Sequence, residues 1–557
     1  MNAKQASETQ MRRSVCLRLA LCLSFTFWPQ LSRERGEGHP AATPLQAQLA
    51  APRQEQALDL LFEGGMIVDG SGASPTRADL GVRGDRIAFI GHARKAGLRA
   101  ARIIRAEGLI VAPGFIDPHT HAGADLSDPQ RRSNLNYLMQ GVTTVIVGND
   151  GGGSPEVAQA LRQWEEQGIG TNVGVLVGHG AVRQLVLGSG DVELTADQLE
   201  QMKALVRKAM GEGALGLSTG LFYVPGAFAK TEEVIELAKV AAALGGVYDS
   251  HMRDEDSYSI GLLASIAETI RIGREAKIPV HISHIKALGP RVWGKSAEAI
   301  ALIRRARAEG IDVTADQYPY IASGSNLVAS LMPHWAGALS RERLLALFDD
   351  ATQLPRLLKE VRENLARRGG PESLRFTSSQ APELRGRTLG AVAIERNQSP
   401  VETALEIIRQ YTRSNTTGAL AVASFNMRED DLERFMRQNF VMTGSDGSRG
   451  HPRLYGTYPR KLRLFVYEKR LLTLPFAIHA ASAFPAETLH LVDRGLLRRG
   501  YYADVVAFDP ATIADRATYE DPEILARGIK YVIVNGKVVI DSGEFTGVLP
   551  GRALRRR

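Results

Sequence analysis

Residues 109–121 read Leu109-Ile110-Val111-Ala112-Pro113-Gly114-Phe115-Ile116-Asp117-Pro118-His119-Thr120-His121, an apolar and β-branched body ending in an acid and two histidines. Such a body predicts a strand buried on both faces, as in a parallel sheet. Side chains two apart on a strand point to one side, so His119 and His121 can meet one ligand. The form recurs in seven further runs, 141–150, 172–179, 214–221, 246–251, 278–284, 311–318 and 440–446. Nearly all of them close on a polar group, among them Asp150, His179, His251, His284, Tyr318 and Asp446. Helical patterns separate most of the runs, as at 156–167, 196–211, 231–244, 260–276 and 297–308. Eight alternating units predict an α/β fold, a closed (β/α)8 TIM-type barrel, whose active site is built from the C-terminal strand ends. His119, His121, Asp150, His251, His284 and Asp446 are then the candidate constellation.

Outward from the barrel (114–489), residues 58–113 hold short strand-like pieces punctuated by Gly64-Gly65, Asp69-Gly70 and Gly84-Asp85. Residues 499–549 repeat that style, with Asn535-Gly536 as a hairpin signal. Neither segment could bury a stable sheet alone. Over 120 residues separate the seventh and eighth runs, more than a connection needs. Residues 327–382 therefore read as an inserted subdomain.

At the N-terminus Arg12 and Arg13 precede an apolar run from Val15 to Trp28, and a polar stretch follows to Ala51. Residues 1–51 have the layout of a secretory signal and linker. The run is shorter than the ~20 residues a span needs and is broken by Arg18, so no stable membrane anchor is expected. This predicts export to the periplasm or exterior, with a cytoplasmic location as the alternative. Leu19–Cys22 loosely resembles a lipoprotein cleavage box, but Leu21 sits where a small residue is needed. Both cysteines, Cys16 and Cys22, fall in this leader, so the mature chain is expected to lack disulfides and thiolate ligands.

The 557 residues are 44% apolar and 23% charged, an ordinary globular composition that excludes wholesale disorder. The net charge is +7, and residues 1–50 hold six Lys/Arg against three Asp/Glu, so 7 − 3 leaves +4 for the rest. That balance is no argument for nucleic acid. The basic Arg552–Arg557 segment has no interleaved aromatics and reads as a solvated tail.

Imidazoles with a carboxylate suit Zn²⁺, although spacing alone leaves other first-row metals open. A divalent cation acidifies water, and a carboxylate beside it can take the proton.

Eight motifs carry a family resemblance: GFIDPHTH (114–121), QGVTTVIVGND (140–150), STGLFYVPG (218–226), SHMRDE (250–255), ISHIKALG (282–289), DQYPY (316–320), GSDG (444–447) and HPRLYGTYPR (451–460). From about Leu60 onward the chain resembles the N-acyl-D-amino-acid deacylases, or D-aminoacylases, of the amidohydrolase superfamily. The resemblance implies zinc-dependent hydrolysis of N-acyl-D-amino acids. His251, His284 and the residue ending the second strand would hold the essential zinc, and His119 and His121 would flank a second, weaker position. Asp446 would be the general base. Lys286, Tyr318 and Arg453 would hold the substrate's α-carboxylate with Tyr223 close by, and Phe222 would form an apolar wall favouring hydrophobic side chains. The family pattern also unites 58–113 and 490–557 as one small β-sandwich and makes the insertion a lid.

One position departs from the pattern. The best-known members place a cysteine where this chain has Asp150. A carboxylate can ligate and bridge metals and, unlike a thiolate, resists oxidation outside the cell; alternatively Asp150 only caps Gly151–Gly153. Lys286 and Arg453 could instead pair with acids such as Asp249 or Asp254. The runner-up activity is that of a peptidase accepting a C-terminal D-residue or of a cyclic-amide hydrolase, and the Lys286, Tyr318 and Arg453 set, which demands a free carboxylate, weighs against the cyclic amides but not against the peptides. A non-catalytic barrel is disfavoured by the presence of Asp446. Among the remaining histidines, His179 is expected to be structural, His281 to face away from His284 because of its odd offset and likewise to be structural, and His451 to orient the loop of Arg453.

Overall fold

The computed structural model describes residues 57–556. The expected leader and linker, with Cys16 and Cys22, lie outside them. Eight short parallel strands form the central sheet: β1 Phe115–Asp117, β2 Val142–Val147, β3 Asn172–Gly178, β4 Gly216–Gly220, β5 Val247–His251, β6 Val280–Ile282, β7 Val313–Gln317 and β8 Val441–Thr443. They pair in chain order, and a parallel bridge between Thr120 and Gly447 links the ends of β1 and β8, so the barrel is nearly closed. Every residue of β2, β3, β4 and β5 is buried; β2 and β3 read as largely apolar runs, whereas β4 and β5 carry buried polar groups such as Ser218, Thr219, Asp249 and His251 toward the barrel mouth. Helices such as Thr231–Ala243 and Leu262–Ala276 cover the outside and share a core with strand residues including Val280.

The run 109–121 is divided between two sheets. Ile110–Pro113 pairs with Val505–Phe508 and with Ala57–Ile67, whereas the barrel strand begins at Phe115. Gly114 makes the break, because a Cβ there would stand 2.3 Å from the Thr143 side chain. Strands from both chain ends form one nine-stranded sheet, and Phe62, Leu80, Val111, Val505 and Ile533 share a core within it. Each end supplies an apolar face that the other covers.

The insertion takes in more chain than the expected 327–382. Ser323–Asn326, Ala421–Ser424 and Leu374–Phe376 form a three-stranded antiparallel sheet. Leu327, Leu357, Phe376, Leu405, Ile408 and Val422 belong to its own core, so the helix Pro400–Arg413 packs there and not on the barrel.

The basic tail is docked instead of solvated. The Val173 N–H donates to the Arg552 carbonyl (2.9 Å), and the Leu554 N–H donates to the Val173 carbonyl (2.7 Å). Ala553 is buried, and Arg555 pairs with Glu165. Apolar residues between the arginines give the segment a face to bury. Among the described residues no helix is long and apolar enough to cross a membrane.

Candidate active site

The C-terminal strand ends bring the constellation together. Asp117 closes β1, and its Oδ1 accepts the N–H of His119 (3.2 Å) and of Ser445 (3.0 Å). The Asp446 N–H donates to the His119 carbonyl (2.9 Å), which fixes the first strand end against the last. Asp150, His284 and Asp446 adopt φ of 56°, 36° and 46°. This left-handed region costs an L-residue about 1–2 kcal/mol and collects at functional sites.

Asp150 sits at the centre. Its Oδ1 lies 3.3 Å from His251 Nδ1, 3.4 Å from His119 Nε2 and 3.5 Å from His284 Nε2, and its Oδ2 lies 3.5 Å from His121 Nε2. None of these contacts on Oδ1 is a hydrogen bond: among the described residues Asp150 Oδ1, His251 Nδ1 and both ring nitrogens of His119 are buried without a partner. Two donors each ~2.0–2.1 Å from a tetrahedral ion stand about 3.3 Å apart, which matches this spacing. The donors fall into two groups, His119, His121, Asp150 and Asp446 in one and Asp150, His251 and His284 in the other. Asp150 belongs to both. Its left-handed turn aims the carboxylate into the cluster, and a role limited to capping Gly151–Gly153 accounts for none of these contacts.

The electrostatics favour a cation. Burial alone would push the His119 imidazole down, but the carboxylates of Asp150, Asp446 and Asp316 lift it to about 10. Burial and the nearby Lys286 oppose charge on His284, yet Glu255 and Asp446 raise it to about 9. Burial and the neighbouring His284 push His251 down. Burial works against the charged form of Asp150, but His119 and His251 hold it well below the usual carboxylate range. Asp446 is also held below that range against burial, by Arg453 and then His284. The negative charge that draws protons to these imidazoles is equally suited to a divalent ion, and the residues present fit zinc.

A cavity of about 380 Å³ opens onto the cluster, lined by His121, Phe222, Tyr223, Lys286, Tyr318 and Arg453 among others. All the expected substrate residues therefore converge. Arg453 Nη1 stands 2.8 Å from Asp446 Oδ2, and its guanidinium lies 4.6 Å from the Tyr318 ring centre. The buried Tyr318 hydroxyl has no partner among the described residues. Lys286 Nζ bonds Glu255 Oε1 and lies 2.7 Å from His284 Nδ1. Both cations thus have acidic partners, but these are Glu255 and Asp446 and not Asp249 or Asp254. Asp249 instead accepts from Ser283, and Asp254 accepts from the backbone N–H groups of Asp256, Ser259 and Gly261.

His179 is bonded to Glu233 (2.8 Å), and His451 Nδ1 accepts the Arg453 N–H (3.1 Å) while Nε2 contacts the Ala322 carbonyl. His281 corrects an expectation. It faces the barrel interior, bonded to Thr314 and Asp316, because β6 ends at Ile282 and the left-handed turn at His284 breaks the two-residue alternation. Sequence reasoning missed Glu255, Tyr258 and the insertion residues Ser323, Gly324, Ser325, Arg368, Thr377 and Val422, all of which line the cavity. Of these only Glu255 falls inside one of the eight motifs.

The profile of the Amidohydrolase family matches residues 102–540. The D-aminoacylase of Alcaligenes xylosoxydans xylosoxydans is 37% identical over 528 residues, covering 90% of this chain and 98% of that protein. A D-aminoacylase of known structure, with a binuclear metal centre described as activated by one metal and attenuated by the second, is 35% identical, with TM-score 0.75 over 90% of this chain and all of that one. The N-acyl-D-glutamate deacylase of Bordetella bronchiseptica, solved with zinc and a phosphonate mimic of the tetrahedral intermediate, is 32% identical, with TM-score 0.76 over 90% and 100% of the two chains. Fold, donor set and relatives agree: this chain belongs to the amidohydrolase family and is a metal-dependent, D-aminoacylase-like member of it.

Proposed function

We propose that the chain cleaves the amide bond of N-acyl-D-amino acids, releasing a carboxylate and a free D-amino acid. One zinc ion would be essential, held by Asp150, His251 and His284. A second, weaker one would use His119, His121 and the shared Asp150. The observation that carries this reading is the presence of Asp150 in both donor sets. Bound there, zinc supplies Lewis acidity that polarises an amide carbonyl and acidifies water. Asp446 Oδ1 is the atom that takes the water proton and returns it to the departing nitrogen. Arg453 keeps that carboxylate ionised until it is needed.

Lys286, the free Tyr318 hydroxyl and Arg453 would receive the α-carboxylate, Arg through its planar fork and Lys as a compact charge. A free carboxylate favours linear substrates over cyclic amides and leaves peptides with a C-terminal D-residue as a second class. Insertion residues line the cavity and support its reading as a lid that restricts water. Phe222 stands 5.4 Å from Tyr258 and 6.0 Å from His251, an aromatic wall that supports a hydrophobic side-chain preference. Arg368, beside that wall, favours a second reading in which the substrate carries an additional acid.

The test combines metal analysis with assays of paired N-acetyl-D and N-acetyl-L substrates, a hydantoin, and a dipeptide ending in a D-residue. We expect bound zinc, hydrolysis of the linear D-substrates, and an Asp150→Ala variant that loses zinc and at least about 100-fold in kcat/KM. Full activity after thorough chelation would refute the metal mechanism, and a preference for the L series would refute the stereochemical claim.

A further inference from the structure

A second cavity, of about 310 Å³, adjoins the donor cluster between the barrel wall and the helix Val157–Gln167. Val147 of β2, Val175 of β3, and Val157 and Trp164 of the helix line it, and each is at most 5% exposed. Trp164 donates through Nε1 to Ser127 Oγ (3.0 Å), so its one polar group is satisfied and its ring is left as apolar surface. No Asp, Glu, Lys or Arg among the described residues lines this cavity. His121 lines both this cavity and the substrate cavity. Its side chain is 39% exposed, against 0%, 6% and 1% for His119, His251 and His284, so the cluster opens to its surroundings at this ring.

The partition between the two cavities is low. Asp150 lines the substrate cavity, whereas Asn149 and Gly152 line the second, so the turn 148–153 divides them. Within 4 Å, a Cβ at Gly152 would meet the Asn149 carbonyl oxygen alone, at 3.5 Å, and one at Gly123 would meet Val147 Cβ alone, at 4.0 Å. Neither glycine has the left-handed φ that would require it, so what their missing side chains provide is an open rim. An uncharged apolar cavity continuous with a hydrolytic centre suits the hydrocarbon part of a substrate. Two arms of an N-acyl-D-amino acid have receptors elsewhere: the α-carboxylate at Lys286, Tyr318 and Arg453, and the side chain along Phe222. Phe222 approaches the cluster beside His251, which faces Asp150 Oδ1, whereas His121 faces Oδ2. The acyl group is the arm that remains. Resting on the deacylase reading above, we infer that the second cavity takes a medium-length aliphatic acyl chain that crosses the rim beside His121. The favoured substrates are then N-medium-chain-acyl-D-amino acids, and adding water across the amide C–N bond releases a fatty acid and the free D-amino acid.

The test measures kcat/KM on N-acetyl-, N-butanoyl-, N-hexanoyl- and N-octanoyl-D-leucine with the wild type, Ala160→Phe and Gly123→Leu. Ala160 lines the cavity from the helix, and both substitutions put bulk into it. We expect the octanoyl substrate to exceed the acetyl one by at least about 30-fold, mostly through KM, because burying each methylene is worth about fourfold. Either variant should cut that advantage at least about tenfold while leaving the acetyl substrate, which also reports folding, within about threefold. A binding readout needs no turnover: 8-bromooctanoate should quench the tryptophan fluorescence of the wild type, and Trp164→Phe should abolish the quenching. Should neither cavity-filling variant fold, this comparison decides alone. No gain with chain length, a gain that both variants leave intact, or quenching that survives Trp164→Phe would overturn the inference. Failure of the wild type to cleave any of the four substrates would instead overturn the deacylase reading.

Discussion

Glu255 resolves a conflict at His284. Lys286 Nζ and Glu255 Oε1 both approach His284 Nδ1, at 2.7 and 3.1 Å. If Nδ1 accepted from the lysine, the ring proton would sit on Nε2, which faces Asp150, and Nε2 could not ligate a metal. If Nδ1–H donates to Glu255, the Nε2 lone pair is free and Lys286 bonds the same carboxylate. Burial would raise the Glu255 carboxyl, but Lys286 and then His284 hold it well below its usual range, so it stays ionised for both partners. Such orienting carboxylates are worth about 10–100-fold in metal affinity. Glu255→Gln should therefore weaken zinc binding by that factor in a chelator competition, with unchanged circular dichroism and a raised KM. Unchanged zinc affinity would confine Glu255 to holding Lys286. Glu255 lies four residues after His251, beyond the end of β5, and spacing past a strand end does not reveal that it faces a histidine of the next strand. The candidate ligands were legible because each sits at or just past the end of one of the eight strand-like runs.

Between elements, Glu233 of the helix Thr231–Ala243 bonds His179 and Arg183 of the helix His179–Leu187. Burial pushes its carboxyl up, but His179 and Arg183 outweigh burial and leave it below the ordinary 4.5. A depressed carboxyl adds stability that is fully present above the unfolded value, about 4.5, and is lost as pH falls through the lower folded value. Glu233→Gln should be less stable than the wild type at neutral pH and should show a shallower loss of unfolding free energy below pH 4.5, read from urea titrations at stepped pH. Parallel slopes for the two proteins would remove Glu233 from the acid response. The barrel strands could be read from sequence because short β-branched or apolar stretches recur, each closing on a polar group and alternating with a helical pattern. The end of the insertion could not. The helix Pro400–Arg413 has a well-formed apolar face, but nothing local distinguishes one that packs on the barrel from one that packs on Leu357 and Phe376.

For the whole molecule, the C-terminal segments meet the barrel at one buried polar junction. Asn172, at the start of β3, donates through Nδ2 to Asp504 Oδ2 (3.2 Å), and its Oδ1 accepts from Asn535 Nδ2 (2.8 Å) and the Arg552 N–H (3.1 Å). Arg494 pairs with Asp504, and the Asn535 N–H donates to Asp504 Oδ1 (2.8 Å). Composition suggests a free basic tail because charge is visible in sequence and a backbone partner is not. Removing residues 552–557 would deprive the Val173 N–H of its acceptor and Asn172 of a donor, and each buried group left unpaired costs about 1–3 kcal/mol. Because this junction lies at the N-terminal strand ends, opposite the candidate metal donors, truncation should lower the melting temperature by several degrees while metal content and KM at 25 °C stay at wild-type values. Loss of zinc without a change in melting would show that the tail acts on the active site and not on the closure of the fold.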